Sequence, residues 1–239
     1  MPTPVHIRAL VVHRLRYGEK DLIVRCLSPE AGIQAYLLKG PARRISPAER
    51  LSHPGALVRL KILRLGARSL PKILSAESLF PQWHTFFEPV RYAQAAFVAE
   101  CLHRFFPNDQ ACEPAYFDWA EEILRGLEQT PSGIPMGWPL RFLAGLCRVA
   151  GIAPVTTGYP SGASFHLVEA QWIHGADAGD VCLSPELSLA WFHLFAGREP
   201  GALPISQRRL LLQALVQFIR LHHSPDFEVR SPDIYSGLF

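Results

Sequence analysis

The hydrophobic period of this chain changes once, near Pro81, and that change limits the fold more than any other feature. Before it, short apolar runs rich in β-branched residues are separated by turn residues; after it, apolar residues recur at helical spacing. Val5 to Tyr17, Asp21 to Ser28, Gly32 to Leu38, Ala56 to Leu65 and Pro71 to Ser78 are predicted strands. Turns are expected at Gly18-Glu19, at Pro29-Glu30-Ala31 and at Gly66. In the fourth run Val58, Leu60 and Ile62 alternate with Arg59 and Lys61, so one face is apolar and the other cationic. Five short strands of this kind suit a small closed barrel of the OB type, with an SH3-like barrel as the close competitor. Both are consistent with an α+β chain whose first domain spans residues 1–80.

Residues 81–239 are then expected to form an all-α helical domain. Glu88 to Phe106, Pro114 to Glu128 and Pro139 to Ala150 carry apolar residues at helical spacing, and Gly151 with Pro154 stops the third. Ser184-Pro185-Glu186 has a capping serine, proline at the first helical position and an early carboxylate. Ser206 is expected to cap the last helix, which ends at His222-His223 before Pro225. Between them, about 152–183, lies a stretch rich in glycine and small polar residues, read as a small irregular or hairpin insertion. Trp83, Phe86 and Phe87 are expected to pack at the change of period. A chain of 239 residues, 49% of them hydrophobic, is long enough for two such cores.

Charge follows the same division. Residues 1–80 hold 14 Lys and Arg against 5 Asp and Glu, a balance of +9, whereas residues 81–239 carry a balance of −6. Such asymmetry points to a polyanion-binding module joined to one that does not bind polyanions. The cations recur along the predicted strands as Arg8, Arg14, Arg16, Arg25, Arg59 and Lys61, and in the loop Lys39-Gly40-Pro41-Ala42-Arg43-Arg44. Dispersed cations are what salt-dependent, sequence-independent binding to a phosphate backbone requires. Aromatic residues are few there, Tyr17, Tyr36 and Phe80, so the domain is expected to hold the backbone more than the bases.

Enzyme signatures are missing: no glycine-rich phosphate loop, no G-x-S-x-G and no H-E-x-x-H occurs. The 5 cysteines are scattered without a C-x-x-C pair, so neither a disulfide framework nor a complete zinc site is legible. His166, His174 and Cys182 lack tight ligand spacing and a fourth partner, and His222-His223 sits where a helix dipole favours cations. No cofactor and no metal are expected. Apolar runs are too short for a membrane span, and the first residues lack the build of a signal peptide, so a cytoplasmic location is expected.

One set of residues matches a known pattern. Ala9-Leu10-Val11, Tyr17-Gly18-Glu19, Asp21-Leu22-Ile23-Val24, Gly32 and Lys39-Gly40-Pro41-Ala42-Arg43-Arg44 together resemble the N-terminal barrel of the bacterial recombination mediators of the RecO family, with Pro41 as a departure. Ala76-Glu77 and the tail from Ser206 to Phe239 extend the likeness. The resemblance implies an OB-fold followed by a helical domain and no covalent catalysis. It further implies binding to single- and double-stranded DNA, annealing of complementary strands, and work with RecR, sometimes with RecF, to load RecA onto DNA coated by single-strand-binding protein. Lys39, Arg43 and Arg44 match the family's basic motif and inherit a DNA-contact role, to which Arg14, Arg16, Arg59 and Lys61 are added from their places on the predicted strands. Arg141, Arg148, Arg208 and Arg209 are expected to line a pocket for an acidic partner tail. Many family members carry four zinc cysteines after a Gly-(x)-x-Pro turn; Gly151-Ile152-Ala153-Pro154 matches the turn, but only Cys182 follows, so zinc is expected to be lost. Two other readings stand beside this one: an adaptor whose basic barrel docks acidic protein tails, and a metal-dependent hydrolase using His166, His174 and Cys182.

Overall fold

The structure, a computed structural model, describes residues 3–40, 51, 53–64, 66, 69–107, 109–130, 137–175, 181–201 and 203–230. The chain forms two compact units, one of residues 1–134 with 229–238, the other of residues 135–228. The change of period at Pro81 therefore falls inside the first unit, where strands and the helices that follow share one body.

In the first unit β1 (Val5–Tyr17), β2 (Asp21–Ser28), β3 (Gly32–Leu38), β4 (Leu57–Leu63) and β5 (Lys72–Ser78) form a closed barrel in the order β1-β2-β3-β5-β4. All neighbours are antiparallel except β3 and β5, which meet in parallel at Leu37 and Lys72. That order, closed back on β1, is the Greek-key arrangement of an OB-type barrel and decides between the two barrels that strand count leaves open. Period-two alternation places Ile7, Ala9, Val24, Cys26, Tyr36, Val58, Leu60, Ile62, Ile73 and Ala76 in the interior. Leu10, Leu27 and Leu57 are just as buried on the outer side, because β1 is covered there by a helix. A strand buried on both faces reads as a continuous apolar run, which is why Ala9 to Val12 does not alternate.

Three helices follow in this unit: α1 (Trp83–Phe87), α2 (Pro89–Phe105) and α3 (Pro114–Gln129). Their ends are tied to one another by charged side chains. The buried Arg91 of α2 donates to the carbonyls of Leu127, Glu128 and Thr130 at the end of α3, satisfying acceptors that a helix terminus leaves open. Glu128 in turn accepts from the backbone amides of His84 and Thr85 at 3.0 and 2.8 Å, at the positive start of α1. Gly32 begins β3 at φ +66°, and a Cβ there would run into the Gln110 carbonyl, so only glycine fits.

The second unit contains α4 (Trp138–Val149), a hairpin of β6 (Ser164–His166) and β7 (Gln171–Ile173), α5 (Pro185–Phe195) and α6 (Ile205–His222). The insertion is thus a two-stranded hairpin, packed through Phe165 against Trp191 and Phe218. Ser184 caps α5 by accepting from the Leu187 amide. Ser206 does not cap α6: the helix starts one residue earlier with Pro204 at its N-cap, and no side chain supplies the cap. Among the described residues no helix is long and apolar enough to cross a membrane.

Candidate nucleic-acid interface

β1 outlasts the strand beside it. Its ladder with β4 ends at Leu10 opposite Leu57, and the last backbone contacts on that side are Val11 N to Ala56 O and Gly55 N to Val11 O, both 2.9 Å. Beyond them His13 to Tyr17 pairs only with β2 among the described residues, while β2 itself stays paired with β3 from Leu22 to Ser28, so the far end of β1 forms an edge of the barrel sheet, its arm. A bulge between Val11 and His13 resets the alternation. After it Arg14 stands opposite Val24 and Arg16 opposite Leu22, residues of the core-facing side, whereas His13, Leu15 and Tyr17 point the other way. Arg14 and Arg16 are exposed and extend the inner face past the barrel rim.

Lys39 joins them. It is exposed and follows Leu38, the partner of Leu22, while the amide of Gly40 donates to Asp21 Oδ1 at 2.9 Å. A Cβ at Gly40 would lie 3.3 Å from the Lys20 Cβ, so the start of the basic loop lies against the hairpin turn. Arg14, Arg16, Lys20 and Lys39 therefore gather at one end of the barrel. Arg43 and Arg44 lie outside the described residues.

Arg59 and Lys61 form a second group. They stand on the outer face of β4, opposite Arg8 and His6 of β1 and Glu77 and Ser75 of β5. Along β1, Arg14 is six residues beyond Arg8, roughly 20 Å at the usual rise. The sequence-predicted cations thus make two patches rather than one continuous surface. None of the five described ones makes an ion pair with another described residue.

Two cations of the same strands are spent internally. Arg8 meets Glu30 at 3.9 Å, Asp118 at 3.4 Å and Glu121 at 3.3 Å, and lies over the Phe117 ring, pinning α3 to the barrel. Arg25 is 8% exposed and bridges Asp109 Oδ1 and His103 Nδ1, each at 3.0 Å. His103 stacks on His13 with ring centroids 4.4 Å apart. Burial, with His13, Arg25 and Arg104 close by, pushes the His103 pKa down to about 4. Burial, Arg104 and Arg25 lower His13 in the same way. Both rings are neutral near pH 7 and add no charge to the surface.

The remaining expected residues are placed as follows. Arg141 pairs with Glu199, and Arg148 donates to the carbonyls of Leu194 and Phe195 at the end of α5, at 3.2 and 3.3 Å. Two of the four proposed tail-binding arginines are thus engaged within their own unit, while Arg209, beside the half-buried Arg208 in the first turns of α6, is exposed. His166 Nδ1 accepts from the Glu169 amide at 3.1 Å, and His222 Nε2 lies 2.7 Å from the Leu167 carbonyl. Among the described residues no three His, Cys, Asp or Glu side chains converge as a metal site would require. Trp83 and Phe87, expected to pack, are instead 67% and 76% exposed and stack on each other at 6.0 Å; Phe86 alone of the three turns to the barrel core.

Residues 1–81 match the family model described as Recombination protein O N terminal. The whole chain is similar to proteins named DNA repair protein RecO: 26% identical to that of Phocaeicola vulgatus over 96% of this chain and 97% of the relative. The corresponding figures are 24%, 96% and 97% for Bacteroides fragilis, and 27%, 63% and 62% for Christiangramia forsetii. Barrel order, the family match over residues 1–81 and similarity along 96% of the chain agree, and all three point to the proteins named DNA repair protein RecO, to which this chain is similar.

Proposed function

We propose that this protein is a non-enzymatic mediator of DNA repair and recombination, with residues 1–80 as its nucleic-acid-binding domain. The domain binds single- and double-stranded DNA through the backbone, anneals complementary strands and assists the loading of RecA onto DNA coated by single-strand-binding protein, together with RecR and, where required, RecF. One observation carries this reading: Arg14, Arg16 and Lys39 stand exposed and without carboxylate partners among the described residues at the arm end of an OB-type barrel. Cations left unneutralised at one place attract a polyanion and release its counterions on binding. Arg59 and Lys61 offer a second, weaker contact on the outer face, and Arg43 and Arg44 are proposed to extend the first patch from the loop. Of the tail-binding arginines, Arg209, with Arg208 beside it, is the best placed to receive an acidic partner tail.

Strand annealing with and without single-strand-binding protein tests binding and mediation together. Annealing that rises with protein, survives coated strands and weakens steeply with salt is expected. Charge reversal at Arg14 and Arg16 should lower DNA affinity with little dependence on base sequence, and unchanged affinity would move the site off the arm. Binding to an acidic peptide but not to DNA at matched salt would replace this reading with that of a protein-docking adaptor.

A further inference from the structure

We propose that Tyr17 contacts DNA bases: the arm stacks an unpaired base on the Tyr17 ring while the cations around it hold the flanking phosphates. The inference rests on the DNA-binding reading above and assigns that site a preference for single strands.

Tyr17 and Leu15 are 56% and 57% exposed, on the face of the arm opposite to Arg14 and Arg16. Packing accounts for them only in part, because this part of β1 has lost its β4 neighbour, and the Tyr17 ring stacks on no other described ring and its hydroxyl has no hydrogen bond to a described residue. Chemistry does account for them. An aromatic face beside cations is what a protein needs to hold a base by its π-surface and the backbone by charge. Tyr17 is opposite Asp21, whose carboxylate binds the Gly40 amide, so Lys39 lies about two strand spacings away, roughly 10 Å. Arg16 precedes Tyr17 and points to the other side, and Lys20 closes the turn.

The other aromatic residues of the first 80 positions are not available. Tyr36 is fully buried in the barrel, and the Arg125 guanidinium covers Phe80 at 4.2 Å. Trp83 and Phe87 are more exposed, but the cleft they line with His53, Ser78 and Gln82 carries no lysine or arginine among its described lining residues. Around Tyr17, Arg16, Lys20 and Lys39 outnumber Glu19 and Asp21, and Asp21 is bound to the Gly40 amide, so local charge favours Tyr17 over the larger aromatic pair.

The test uses the full chain with a labelled oligothymidylate and the same sugar–phosphate strand bearing abasic sites, each over a range of salt. Tyr17→Ala should weaken binding to the oligothymidylate by about 5- to 100-fold, the usual worth of one stacked base. The salt slope should not change, because no cation is removed. Tyr17→Phe should bind like the parent, and on the abasic strand Tyr17→Ala and the parent should be equal. Equal affinity of Tyr17→Ala and the parent for the oligothymidylate overturns the proposal, as does an equal loss on both strands. Failure of the parent to bind either strand overturns the DNA-binding reading itself and this inference with it. Because the side chain is more than half exposed at an edge of the sheet, the substitutions leave the barrel intact, and an unchanged melting temperature verifies that.

Discussion

Acidification should loosen the first unit before its carboxylates titrate, and His103 is the reason. In the folded chain its ring is half-buried and stacked on His13, accepts from Arg25 through Nδ1 and has Arg104 beside it; burial first, then these neighbours, lower its pKa to about 4. In the unfolded chain the ring titrates near its ordinary value of about 6.5. Above that value neither state is protonated and the arrangement costs nothing. As pH falls below it the unfolded state takes up a proton that the folded state refuses, so stability declines until pH reaches the folded value and then levels off. The full difference corresponds to roughly 3 kcal/mol at 1.36 kcal/mol per pKa unit. Partial exposure of the ring reduces this to about 1–2 kcal/mol between neutral pH and pH 5. His103→Gln retains an acceptor for Arg25 but cannot titrate, so its stability should fall less over the same interval, even if the lost stacking lowers it at every pH. Urea denaturation followed by circular dichroism at neutral pH and at pH 5 measures both curves. Parallel pH dependence in the parent and His103→Gln would refute the reasoning, since His13 and the carboxylates are common to both.

The other predictions follow from single positions. Gly32→Ala should destabilise the first unit by about 2 kcal/mol or more, because the added Cβ meets the Gln110 carbonyl in a backbone conformation that alanine avoids; thermal melting measures it. Arg91→Met should cost about 3 kcal/mol, since three carbonyls at the end of α3 lose their donor and the Glu88 carboxylate loses its partner; chemical denaturation measures it. Arg8→Ala should lower stability with little change in DNA affinity, whereas Arg14→Ala should do the reverse, and fluorescence anisotropy beside a melting curve separates them. Arg148→Ala should cost about 1 kcal/mol by uncapping α5 without altering DNA binding.

Much of the architecture was legible because it follows from local pattern. The strand runs, the helical runs after Pro81 and the Ser184 cap all depend on residues close in the chain, where side-chain period and terminal hydrogen bonding act directly. Ser206 shows the limit of that signal. A serine near a helix start is a cap only if the backbone turns there, and at α6 Pro204 already supplies the non-helical residue. The candidate site was proposed from composition, which carries no geometry. Counting cations could not distinguish Arg14 from Arg8, since two of the three carboxylates that meet Arg8, Asp118 and Glu121, come from more than a hundred positions away. Nor could it foresee that Arg25 would be buried against Asp109 and His103.

What the sequence determined by itself is therefore the kind of molecule: five strands with the length and alternation of a small barrel, helices after them, and an excess of positive charge confined to the first 80 residues. Those are properties of neighbouring residues and of totals. Only the tertiary structure decided which charges remain free, because an ion pair depends on distances set by packing between remote segments. It also decided that β1 runs past β4, that a bulge sends Arg14 and Arg16 to one side and Tyr17 to the other, and that the cations divide into two patches. Strand pairing is a non-local choice, and with it came the arm on which the proposed function of this protein rests.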